Sequence, residues 1–111
     1  MKNKIVWAEK DDQYRAIRIF KSKKAALNSG VCVSPILYAV AVYQIRRTIW
    51  LRSKGECELC AAPITESSGH MHEQQHRGKG GEISLANSVF ICPICHRRAH
   101  ADRNPHFSKK T

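Results

Sequence analysis

The sequence has no apolar run long enough to cross a bilayer. Its longest stretch, Val31 to Tyr43, is broken by Ser34 and Pro35 and falls short of the roughly 20 residues a spanning helix needs. The opening segment MKNKIVWAEKDDQYR lacks the apolar core of a secretory leader. No internal repeat or low-complexity tract is present. Acidic residues are scarce: 9 stand against 19 lysines and arginines, for a net charge of +10 and a pI near 9.8. On these grounds the chain is expected to be cytoplasmic or otherwise intracellular, with no membrane partner. The charge points to a polyanion, nucleic acid before an anionic membrane surface.

An even cysteine set is also missing. The five cysteines are Cys32, Cys57, Cys60, Cys92 and Cys95, and an odd number argues against a disulfide framework. With reduced thiols, paired CxxC motifs favour metal. The 111 residues allow one domain, or one small domain with an appendage. A chain this short often needs a staple, and a structural metal is one of the usual ones.

A division falls near Lys54-Gly55. Before it, Lys21 to Asn28 reads as a short helix capped by Ser22, with Gly30 beyond its end. Ser34-Pro35 reads as the start of a second helix running to about Arg52, with apolar residues at Ile36, Leu37, Val40, Ala41, Ile45, Ile49 and Trp50. Arg46, Arg47 and Arg52 crowd its end, where cations complement the helix dipole. Residues 1–53 are therefore expected to be mainly helical. The spacing of Ala26, Gly30 and Ile36 resembles a helix-turn-helix; the alternative is a helical pair packed on the cysteine-containing half of the chain.

After the division, Gly69 to Glu73 suits a short strand and RGKGGE, Arg77 to Glu82, a basic loop. Ser88 to Ile91 suits a second strand, and Pro93 can open a helix running to about Ala101. Two constellations lie on these elements. Cys57-x-x-Cys60 and Cys92-x-x-Cys95 present four sulfurs for one tetrahedral, closed structural Zn²⁺. The 31 residues between the pairs exceed a usual zinc-ribbon gap, so something is inserted there. Cys32, without a partner motif, is expected to be a buried apolar residue. The second constellation is His96 and His100, at i and i+4 on one helix face, with His72 on the preceding strand. Three imidazoles suit a divalent transition metal and leave positions open for water and substrate.

The runs MHEQQHRGKGG and LANSVFICPICHRRAH resemble the HNH endonucleases, the β-β-α-metal nucleases, over about Cys57 to His100. The resemblance implies an α+β protein: a small ββα-metal module stapled by a four-cysteine zinc over residues 54–111, preceded by the helical segment 1–53. It places His72-Glu73 on the family's paired position, Asn87 on its central Asn, His96 on its final His and His100 on an additional helix ligand. It implies a catalytic divalent ion (Mg²⁺, Mn²⁺, Ni²⁺ or Zn²⁺) held by His72, His96 and His100. DNA is the implied substrate, cut to 5′-phosphate and 3′-hydroxyl ends. Arg77, Lys79, Arg97 and Arg98 would neutralise phosphates. The chain departs from the pattern at Glu73, where the family usually has the histidine acting as general base. His-Glu variants are found among phage-like members. A carboxylate of ordinary pKa is a weak base at neutral pH, although low dielectric or a metal-polarised water makes it competent. His76, Glu73 as a metal ligand, and a degenerate site in a zinc-containing DNA-binding protein are the alternatives. Double-strand cleavage by one small module would favour a homodimer.

Overall fold

The computed structural model describes residues 4–75 and 82–103. Val6, Ala8 and Lys10 are buried and alternate with half-exposed neighbours, the period of two that makes the opening segment a strand, β1 (Ile5–Lys10). The turn after it is held by the Asp11 carboxylate, which accepts from the backbone N–H groups of Gln13 and Arg15 and pairs with the Arg15 guanidinium. β2 (Ala16–Ile19) returns antiparallel to β1. Ser22 caps α1 (Lys23–Asn28), its Oγ accepting from the Ala25 N–H at 3.1 Å, as the sequence predicts.

The N-terminal part is otherwise not the helical segment expected of it. Ser34-Pro35 does not start a helix; it lies within β3 (Val33–Leu37), which pairs antiparallel with β1 and sets Pro35 opposite Trp7. β3 pairs only with β1 and forms the edge of its sheet, where a proline lacking an N–H is tolerated. A strand now separates α1 from the next helix, so these helices do not form a helix-turn-helix. α2 (Tyr38–Ser53) begins three residues later than the sequence suggests. It buries Ala41, Ile45, Ile49 and Ser53, one residue every four, and packs this stripe against both β2 and β6 (Ser88–Ile91). Lys54 ends it in the left-handed conformation, φ 58°. Cys32 is exposed, not buried.

The C-terminal strands lie where the sequence puts them. β4 (His70–Glu73) pairs antiparallel with β6, and α3 (Pro93–Arg103) follows. Between β4 and β6 the chain contributes β5 (Ile83–Ser84), which pairs not with them but with β2. The C-terminal part of the chain therefore adds a strand to the N-terminal sheet. One core runs through both, from Val6, Ala8 and Ile19 to Phe90, Ile91 and Cys92.

The α2 arginines make specific contacts. Arg52 forms a two-pronged pair with Glu58 at 2.8 and 2.7 Å and also donates to the Leu85 and Ser88 carbonyls. Glu58 in turn accepts from the Phe90 N–H. Arg46 donates to the carbonyls of Glu66 and Gly69 and lies over the Phe90 ring. Gly69 enters β4 directly against that ring: a β-carbon there would overlap Phe90, which is fully buried and packs edge-on against Trp50. Gly69→Ala is expected to destabilise the protein by about 1–3 kcal/mol through overpacking. Thermal unfolding checks this, and Phe90→Leu should recover much of the loss; additive effects would contradict the contact.

Candidate metal centres

The first centre forms where the Cys57–Cys60 turn meets the β6–α3 junction. In this turn the Leu59 and Cys60 N–H groups both point at Cys57 Sγ, at 3.4 Å, and Ala61 adopts φ 67° to close it. The second turn repeats the device, with the Cys95 N–H on Cys92 Sγ at 3.4 Å. All four sulfurs lie within 4.8 Å of one another, and Cys60 and Cys92 Sγ are 3.8 Å apart. Sulfurs about 2.3 Å from a shared tetrahedral zinc stand about 3.8 Å from one another, whereas a disulfide needs about 2.05 Å. The donor set fits zinc.

The acid–base balance of the cluster agrees. Burial works against ionising Cys57, but hydrogen bonds from the Cys92, Cys60 and Leu59 backbone outweigh it and bring the thiol down to about 6. Cys95 is pushed up to about 12, first by burial and then by the neighbouring sulfurs. A divalent cation relieves that repulsion and holds all four as thiolates.

The second centre is built from β4 and α3. His72, on the buried face of β4, meets His96 and His100, one helical turn apart on α3; their ligand nitrogens all lie within 4.8 Å of one another. His96 Nε2 and His100 Nε2 are 3.0 Å apart, close to the separation of about 3.0 Å for two nitrogens bound side by side at about 2.1 Å. Burial, then the His70 and His100 rings, hold the His96 imidazole below its usual pKa. It is thus neutral near pH 7, with a lone pair available to a cation. His72 is buried, His96 half-buried and His100 exposed, so the set opens to solvent on one side.

Asn87 lies just before β6 and works on the backbone. Its Nδ2 donates to the carbonyls of Gln75 (3.0 Å) and Glu82 (2.7 Å), and its Oδ1 accepts from the Gln75 N–H (2.8 Å). One side chain thereby ties together the two flanks of segment 76–81. Glu73 is the last residue of β4, half-buried and opposite Ser88. Arg97 and Arg98 are exposed on α3 beside His96. His76, Arg77 and Lys79 lie outside the described residues. The sequence reading missed His70. Its ring stacks on His96, with centroids 4.3 Å apart and planes 1° from parallel. The signal was present: His70 and His72 alternate on one face of a strand.

Residues 57–102 match the model of the HNH endonuclease family. The chain is also 33% identical over 66 residues to the type IV methyl-directed restriction enzyme EcoKMcrA of Escherichia coli (strain K12). That alignment covers 54% of this chain and 24% of the relative, so the chain corresponds to about a quarter of the relative's length. No solved structure gives a significant match. Among the described residues, no helix is long and apolar enough to cross a membrane.

Cys92→Ser removes one of four ligands from a site expected to supply apparent binding free energy of order 10 kcal/mol. The purified variant should lose its zinc and its cooperative thermal transition. Near-native melting without zinc would show that the cluster is not a structural metal site.

Proposed function

We propose that the protein is a metal-dependent endonuclease that hydrolyses phosphodiester bonds in DNA. The observation that carries this reading is the convergence of His72, His96 and His100 from a strand and a helix into an open, three-nitrogen set. The match to the HNH endonuclease family, the net charge of +10 and the similarity to a restriction enzyme support it. A divalent ion held by the three histidines would supply Lewis-acid stabilisation of charge on the scissile phosphate and its leaving 3′ oxygen.

The protein's own residues do the rest. Glu73, at the end of β4, orients the attacking water and accepts its proton. Asn87 acts at one remove, fixing the backbone that follows Glu73 and so the direction in which that carboxylate points. Arg97 and Arg98 offer exposed guanidinium groups to flanking phosphates, giving affinity without sequence information. Arg77 and Lys79 would extend that surface. The second reading is a zinc-containing DNA-binding protein with a degenerate site, favoured by the carboxylate at position 73.

Supercoiled plasmid incubated with Mg²⁺, Mn²⁺, Ni²⁺ or Zn²⁺ separates the two. Nicking is expected with at least one ion, and linear product would favour a dimer. DNA binding without nicking under all four would overturn the enzyme reading in favour of the binding module. Glu73→Ala should reduce nicking by about 10²-fold or more, the usual contribution of a general base, with His76→Ala much closer to wild type. The reverse order would move the base to His76.

A further inference from the structure

On the N-terminal sheet lies a cavity of about 290 Å³. Its apolar lining includes three aromatic rings, Trp7, Phe20 and Tyr38, and its basic residues are the exposed Lys4, Lys21 and Lys23. A cation stands over every one of those rings. Lys23 Nζ is 5.4 Å from the Trp7 centroid, Lys4 Nζ is 5.9 Å from that of Tyr38, and the Arg18 guanidinium carbon is 4.3 Å from that of Phe20. Glu82, the acidic side chain of the lining, is 3.9 Å from Arg18.

The chemistry favours one kind of occupant. Rings interleaved with cations suit a ligand that is flat and apolar on its faces and anionic along its length. A concave slot of this size cannot enter a groove of duplex DNA, where protruding elements read base edges. It can accept a base that has left the stack. Ammonium groups held over rings at exposed sites are weakly held, so they are free to exchange a ring face for a phosphate. The groove also adjoins the nuclease-like module through covalent structure: Glu82 leads into β5, which is paired with β2, and the Glu82 carbonyl is one of the two that accept from Asn87.

We infer that this groove binds single-stranded or unstacked DNA, with a base against Trp7 and Phe20 and the lysines on its phosphates. The inference deepens the nuclease reading and rests on it for the identity of the polymer.

The test is a fluorescence titration of the full-length His96→Ala protein, which cannot cut its ligand under the proposed mechanism. The probes are a thymidine oligonucleotide of about a dozen residues, a duplex of equal length and vesicles of anionic phospholipid. Trp7 reports on the groove, while Trp50 is packed against Phe90. Saturable quenching by the single strand, at lower concentration than by the duplex, is expected. Trp7→Phe should abolish most of the quenching while the oligonucleotide still binds by anisotropy. Lys21→Glu with Lys23→Glu, both at exposed positions, should weaken binding about tenfold or more at fixed salt. Unchanged affinity after charge reversal, quenching by vesicles alone, or tighter binding of the duplex would overturn the proposal. Plasmid nicking by the unmodified chain is scored separately. Groove binding without nicking therefore counts against the nuclease reading alone, and nicking with no groove binding against the groove alone.

Discussion

The angle at which α3 leaves β6 is the constraint on which the rest depends. Two of the three converging imidazoles, His96 and His100, are carried by that helix, and the third, His72, by the strand paired with β6. A helix of 11 residues with Pro93 at its start has little intrinsic means of fixing its own direction. The direction comes from sulfur. Cys92 ends β6, Cys95 sits in the first turn of α3, and Cys57 and Cys60 approach from the loop after α2. These four sulfurs would hold a shared cation, which would keep the three pieces of chain at fixed separation. The structural centre would thus aim the helix that carries two of the three imidazoles, although the two sets have no ligand in common.

The four sulfurs are supported in turn by α2. Its stripe of Ala41, Ile45 and Ile49 lies between the N-terminal sheet and β6, and Arg52 with Glu58 links its last turn to the first cysteine turn and the Phe90 backbone. β5 closes the arrangement from the other side by joining β2. The N-terminal residues are therefore a wall of the same core, not an appendage. Gly69 shows how tightly it is packed: the chain enters β4 at a point where Phe90 leaves no room for a side chain.

The range of each interaction decides whether the sequence reveals it. Ligand spacing is local, and the two CxxC pairs, His72, and the i,i+4 step from His96 to His100 all converge as their spacing suggests. The Ser22 cap and the strands β4 and β6 are likewise legible, because a capping side chain and a short alternating run carry their own signals. β1 and β2 were not. The buried face of β1 consists of Val6, Ala8 and Lys10, an apolar alternation too weak to stand out. Ser34-Pro35 was misleading, because the same pair that suits a helix start also suits an edge strand, and only the pairing with β1 decides between them. Cys32 is exposed because its neighbourhood is the end of that edge strand, which nothing in its local sequence discloses. The resemblance singled out Asn87 by its position, whereas its reach to both Gln75 and Glu82 depends on where the fold brings those two residues.

The central claim is that one chain carries two chemically distinct metal centres, a closed one made of sulfur and an open one made of imidazole. X-ray absorption at the zinc edge of the purified protein, followed by Ni²⁺ titration read at the nickel edge, tests it most directly. The account predicts a zinc shell of four sulfurs at about 2.3 Å and a separate nickel shell of nitrogen and oxygen at about 2.1 Å. A single metal with mixed sulfur and nitrogen ligands, or nickel that binds only by displacing the zinc, would contradict it.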